Sequence, residues 1–156
     1  MIAIIRIKGM VKINKKIVET LSRLRLRRKY SCVVIRENNV IKGMIKKVRD
    51  FVAYGEINDK TLAELINKRG QWINKEKKID GEKIINEMKN EKIEKKWPEY
   101  NLKPFFRLHP PRKGIKSKIH FPKGVLGNNK EKINDLIMRM LWDEIKNATI
   151  PPNKLP

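Results

Sequence analysis

At 156 residues, 40% apolar and only 6% aromatic, the chain is long enough for one core plus an extension, though somewhat poor in core material. Its 38 Lys and Arg against 17 Asp and Glu leave a net charge of +21, which favours a polyanionic partner because phosphate contacts release condensed counterions. The longest apolar run, Ile2 to Ile5, falls far short of the ~20 residues of a membrane span, and Arg6 and Lys8 interrupt any signal-peptide core.

A single cysteine, Cys32, forbids an internal disulfide, and with only His109 and His120 beside it a structural zinc site from His and Cys lacks ligands. The charge is segregated. Residues 1–55 carry a net +12, residues 56–100 only +1 and residues 101–156 a net +8, so two basic lobes flank a nearly neutral middle.

In chain order, Ile2 to Lys8 sets Ala3, Ile5 and Ile7 against Arg6 and Lys8, the alternation of a strand with one buried face. Asn14 is placed to cap a helix from Lys15 to near Arg28, with Ile17, Leu21 and Leu24 on its buried side. Ser31 to Arg36 returns to strand character through Val33, Val34 and Ile35. Glu37-Asn38-Asn39 reads as a turn and cap, and Val40, Ile41, Met44, Ile45 and Val48 make a second amphipathic helix. Phe51 to Gly55 is a third short strand. Two helices on one face of a small sheet would bury these stripes, in a unit spanning 1–57 that is close to the lower size limit for folding alone.

The polar faces of this unit hold Lys15, Lys16, Arg23, Arg25, Arg27, Arg28 and Lys29 against Glu19. Its second helix holds Lys42, Lys46, Lys47 and Arg49, closed by Asp50. A helix that merely meets water intersperses both signs. These helices hardly do.

The order of strands and helices, the segment Leu24-Arg25-Leu26-Arg27-Arg28 and the segment Lys42-Gly43-Met44-Ile45-Lys46-Lys47-Val48 resemble the large-subunit ribosomal protein family numbered thirty. The stretch Pro104-Phe105-Phe106-Arg107-Leu108-His109-Pro110-Pro111-Arg112-Lys113-Gly114 is similar to the Phe-Arg-Leu-His-Pro-Pro-Arg signature of that family's extension. Archaeal members, and the eukaryotic ones named protein seven, carry this extension beyond the third strand. In the family's usual form a glycine stands where this chain has Lys113. The length, and the lack of a long basic N-terminal tail, are of the archaeal type.

The resemblance implies an α+β fold, with a ferredoxin-like β-α-β-α-β unit whose two helices share one face of an antiparallel three-stranded sheet. A mostly helical and extended C-terminal extension, 58–156, would follow. It further implies a structural component of the large ribosomal subunit in the cytoplasm, binding large-subunit ribosomal RNA beside neighbouring ribosomal proteins. No catalytic residue, metal, cofactor, membrane or small-molecule substrate is expected.

In the extension, Asp59 is placed to cap a helix to Arg69, and Asp80 a second over about 80–92. The alternating Glu82, Lys83, Glu87, Lys89, Glu91 and Lys92 give the mixed-sign surface of a mainly solvent-facing element. Trp72 and Trp97 flank it, as packing anchors or as base-stacking platforms. Over 98–127 no period survives while prolines and glycines accumulate, which is uncommon in a compact domain unless the segment binds something or is disordered. That stretch carries Arg107, Arg112, Lys113, Lys116, Lys118 and Lys123, with no acid after Glu99. A proline-stiffened, extended backbone loses less entropy on ordering and lets guanidinium groups reach into RNA crevices. Phe105, Phe106 and Phe121 could stack on bases or fill gaps in the protein, and His109 could contact RNA or make a local hydrogen bond. Asn128 and Glu131 match a capping box ahead of a last helix of about 129–146, with Ile133, Leu136, Ile137, Met140, Leu141 and Trp142 as its apolar side. Pro151-Pro152 forbids its continuation.

The candidate RNA contacts are Lys8, Lys12, Lys15, Lys16, Arg23, Arg25, Arg27, Arg28, Lys42, Lys46 and Lys47 in the first lobe. Arg107, His109, Arg112, Lys113 and Lys116 are those of the second. The competing reading is an RNA-acting enzyme or RNA-modification accessory factor. An enzyme needs a metal-binding carboxylate cluster, a nucleophile with its base, or a glycine-rich cofactor loop, and the sequence has no such pattern. A membrane-surface protein is disfavoured because the basic helices lack the Trp or Phe that interfacial helices bury.

Overall fold

The computed structural model describes residues 1–90 and 96–141. Three five-residue strands form its centre: β1 (Ile2–Arg6), β2 (Ser31–Ile35) and β3 (Val52–Glu56). β1 lies between the other two and runs antiparallel to both, with Ile5 opposite Cys32 on one side and Ala53 on the other. The extension adds a two-residue strand to each edge. β4 (Phe106–Arg107) pairs antiparallel with Ser31 and Cys32, and β5 (Gly127–Asn128) pairs parallel with Ala53 and Tyr54. The order is β4-β2-β1-β3-β5, so the three-stranded antiparallel sheet expected from the sequence is the middle of a five-stranded one. An edge strand leaves backbone donors and acceptors unpaired, and the extension supplies partners to both edges.

α1 (Lys15–Arg23) and α2 (Asn39–Val48) cover one face of the sheet. Leu21, Leu24, Leu26, Ile45 and Val48 pack there against Ile2, Ile4, Val33 and Val52. The opposite face is covered by α3 (Asp59–Arg69), α4 (Gly81–Asn90) and α5 (Ile133–Leu141). Leu65, Ile66, Ile84, Ile133, Ile137 and Met140 meet Ala3, Ile5, Cys32, Val34 and Ala53 in that second core. The unit 1–57 thus supplies one helical layer and the three central strands of a three-layer structure, and β1 is buried along its whole length.

The structure corrects one expectation: Arg6 does not sit on a solvated strand face but is only 2% exposed. In the middle of the chain α3 buries Thr61, Leu62, Ala63, Leu65 and Ile66. The mixed-sign surface is real on α4, where Glu82, Lys83, Glu87 and Lys89 are exposed while Ile84 and Ile85 are buried.

The ends of the helices follow from short polar side chains. Asn14 Oδ1 accepts from Lys16 N at 3.0 Å, and Asn38 Oδ1 accepts from Ile41 N at 2.7 Å. Asn58, not Asp59, caps α3, accepting from Thr61 N at 2.8 Å; Asp59 becomes the first helical residue, at the positive end of the dipole. α1 stops at Arg23 rather than near Arg28. Arg25 turns into the left-handed region at φ 64°, Arg25 N donates to Ser22 O (3.0 Å) and Leu26 N to Leu21 O (2.8 Å). That is a Schellman end, with arginine at the position where glycine is commonest.

The expected capping box is not formed. Asn128 Oδ1 accepts from Lys130 N at 2.9 Å, one tight turn spans Lys130–Lys132, and α5 starts at Ile133. Gly55 permits this packing, since a Cβ there would meet Lys130 O at 2.2 Å. The expected continuation of α4 to Lys92, of the last helix to 146 with Trp142, and the Pro151-Pro152 stop lie outside the described residues.

Two of the aromatic alternatives resolve as packing. Trp97 Nε1 donates to Val34 O at 2.9 Å, and its ring meets Phe106 edge to face with centroids 5.8 Å apart. Trp72 is half-buried against the same core and pairs with Leu102.

Candidate nucleic-acid interface

The register places the loops. β1 ends at Arg6, opposite Val52 at the start of β3, and β2 starts at Ser31, one step beyond the Ile5–Cys32 pair. The β1–α1 loop, the α1–β2 loop and the α2–β3 turn therefore emerge from the same end of the sheet. Ile7 N and Lys8 N donate to Phe51 O at 3.0 and 3.2 Å, and Tyr30 N to Arg6 O at 2.7 Å. Lys8, Lys12, Arg27, Arg28 and Lys29 belong to these loops, while Lys15 and Lys16 open α1 beside them. α2 delivers Lys46, Lys47 and Arg49 at its C-terminal end, where cations also suit the helix dipole.

The extension arrives at the same end. Arg107 pairs with Ser31, and Leu108 N donates to Tyr30 O at 3.1 Å. α5 begins near the far end, where Asn134 bonds Glu56 O and the Asn58 amide. It runs towards the basic end, where Met140 O accepts from His109 N and Arg139 O from Arg112 N, both at 3.1 Å. The Arg139 guanidinium fixes that loop, donating to Arg112 O (2.9 Å) and Gly114 O (2.6 Å). His120 Nε2 and Asp50 Oδ1, 2.8 Å apart, tie the return of the extension to the α2–β3 turn. Two lobes far apart in sequence thus converge at one end of the sheet. Glu37, Glu56 and Glu131 line a depression at the other, together with Lys130 and Lys132.

Lys113 sits at φ 63° and Gly114 at φ 69°. Glycine, the residue that the resemblance leads one to expect at position 113, takes that conformation without strain. A lysine there costs about 1 kcal/mol and places a cation instead. Lys113 and Lys116, with Lys123, Lys132 and Arg139, line a depression of about 510 Å³ between the 113–125 segment and α5, with Asp135 as the acid in its lining.

Not every candidate lies there. Arg23 pairs with Glu19 at 2.6 Å on the exposed side of α1, and Lys42 pairs with Glu37 at 3.0 Å near the far end. Arg25 lies with Arg36 and Lys96 along a groove beside β2. His109 is exposed. Phe121 is half-buried with Lys132 Nζ 5.5 Å from its ring centre, and Phe105 packs on the α1–α2 side with the Arg107 guanidinium 5.6 Å from its ring.

The residue that sequence reasoning missed is Arg6. Its guanidinium donates to Leu26 O (2.9 Å), Arg27 O (3.1 Å), Lys8 O (3.1 Å) and Gly9 O (3.0 Å). One buried cation thereby joins both basic loops through four carbonyls. Burial lowers its pKa below the usual arginine value, yet such a group stays charged at any physiological pH. An arginine inside an otherwise apolar strand was the available signal.

Chemistry other than binding finds little here. Cys32 is fully buried, and desolvation pushes its thiol up to about 12, so the nucleophilic thiolate is suppressed. Among the described residues there is no group of three or more His, Cys, Asp and Glu that could hold a metal ion. Among them, too, no helix is long and apolar enough to cross a membrane.

Residues 2–52 match the family described as ribosomal protein L30p/L7e. The large ribosomal subunit protein uL30 of Archaeoglobus fulgidus is 44% identical to this chain over 153 residues, covering 90% of the chain and 99% of the relative. That of Nanoarchaeum equitans is 43% identical, covering 89% and 97%, and that of Pyrobaculum aerophilum 39%, covering 89% and 93%. Similarity at this level runs from the sheet through the extension and over almost the full length of both partners, and on that ground the chain belongs to the ribosomal protein L30p/L7e family.

Proposed function

We propose that the protein is a structural, non-enzymatic component of the large subunit of the cytoplasmic archaeal ribosome, and that it holds large-subunit ribosomal RNA against the basic end of its sheet. The observation that supports this most is the convergence of the two lobes: Lys8, Lys12, Arg27, Arg28, Lys46 and Lys47 from the first, Arg107, Lys113 and Lys116 from the second. Affinity comes from phosphate contacts, and register from the shape fixed by Arg6, Arg139 and the two edge strands. Neighbouring ribosomal proteins are then met by the remaining faces, with α4's mixed-sign surface the least suited to RNA.

Binding of the purified chain to large-subunit ribosomal RNA, titrated from low to high salt, tests this. If six to ten phosphates are neutralised, the slope of log affinity against log salt is roughly −4 to −9, at −0.7 to −0.9 per phosphate. A slope near −1 contradicts the proposal.

A further inference from the structure

The basic end also presents apolar side chains to solvent. At the tip of the β1–α1 loop, Met10 is 64% exposed and Val11 is 83% exposed, the most exposed large apolar side chain among the described residues. They sit between Lys8 and Lys12, with Lys15 and Lys16 beginning the helix that follows and no acid before Glu19, which pairs with Arg23. The tip is held in place. Arg6 donates to the carbonyls of Lys8 and Gly9, Lys12 turns the chain at φ 55°, and Asn14 caps the helix beyond.

A rigid apolar pair ringed by cations calls for a partner that is both polyanionic and apolar at the point of contact. A continuous RNA helix offers phosphates and 2′-hydroxyls at its surface, with its base faces stacked out of reach. An unstacked nucleotide in a loop or bulge offers phosphates around an exposed aromatic face. We propose that Met10 and Val11 pack against an unstacked base of the ribosomal RNA while Lys8 and Lys12 hold its flanking phosphates, so that this tip distinguishes looped RNA from plain duplex. The inference rests on the ribosomal RNA reading above and names the kind of site the basic end selects.

The test uses the full-length chain, a Met10→Ser/Val11→Ser variant and a Met10→Leu/Val11→Ile variant. Each is titrated against deproteinised large-subunit ribosomal RNA and against a perfectly paired RNA duplex. The serine variant should bind the ribosomal RNA at least tenfold more weakly at every salt concentration, with the salt slope unchanged, because every phosphate-binding cation is still in place. Its binding to the duplex should match the parent, and the leucine–isoleucine variant should match the parent on both. Equal affinity of parent and serine variant for ribosomal RNA overturns the proposal, as does an equal loss on both RNAs. Full affinity for free RNA combined with failed incorporation into subunits would assign the tip to a neighbouring protein and also overturns it. Failure of the parent chain itself to bind with a steep salt slope strikes the ribosomal RNA reading instead, so the two failures are told apart.

Discussion

Arg6→Ala lowers the stability of the folded chain by about 3–4 kcal/mol, the largest effect expected of any substitution outside the apolar core. The change removes a cation whose four hydrogen bonds satisfy Leu26 O, Arg27 O, Lys8 O and Gly9 O, and it leaves a gap between the two loops. A buried acceptor left unsatisfied costs about 1–3 kcal/mol, offset in part where water enters. Arg6→Lys keeps the charge but not the planar fork, so one compact ammonium cannot reach all four carbonyls; a loss of about 1–2 kcal/mol is expected. Urea unfolding checks both, through a lower midpoint with an unchanged slope. A midpoint for Arg6→Ala equal to the parent's would show that the guanidinium does not join the loops.

The second large effect separates the basic end from the rest of the charge. Arg107, Lys113 and Lys116 are exposed at or near that end, while Lys60, Lys83 and Lys89 are exposed on α3 and α4. Lys83 lies 4.0 Å from Asp80, and Lys89 pairs with Asp59 across from α4 to α3. Such exposed pairs contribute at most about 1 kcal/mol. Changing either triad to alanine removes three formal charges, so long-range attraction falls equally. The extension triad should weaken binding to large-subunit ribosomal RNA about a hundredfold or more at 0.15 M salt and make the salt slope shallower by roughly 2–3, at about 0.7–0.9 for each phosphate no longer neutralised. The α3–α4 triad should change affinity less than about tenfold, through screened attraction alone. Both variants should keep the parent's circular dichroism. Equal losses would mean that net charge, not its placement, carries binding.

Much of this fold was legible along the chain because its local signals agree with its tertiary structure. Asn14 and Asn38 stand where caps were expected, and the spacing of Ile17, Leu21 and Leu24 and of Ile41, Ile45 and Val48 marks the faces that pack on the sheet. What could not be read is non-local. The edge strands Phe106–Arg107 and Gly127–Asn128 are two residues long, too short for any period, and exist only because β2 and β3 offer free edges. Arg6 fits an alternating strand pattern as a surface residue. Its burial follows from the β1–α1 and α1–β2 loops, whose Lys8, Gly9, Leu26 and Arg27 carbonyls close over it on the face it shares with Ile2 and Ile4. The early end of α1 is likewise hidden, since Arg25 carries no glycine signal for its left-handed turn. The candidate site shows the same division. Its cations were visible as two lobes, but their meeting at one end depends on strand register, on Arg139 and on the direction of α5.

Lysine acylation footprinting, comparing the free chain with the chain in intact large subunits, tests that convergence most directly. The account predicts that Lys8, Lys12, Lys46, Lys47, Lys113 and Lys116 lose their reactivity on assembly, while Lys60, Lys83 and Lys89 keep most of theirs. Protection of the α3–α4 lysines with Lys8, Lys12, Lys113 and Lys116 still reactive would contradict it.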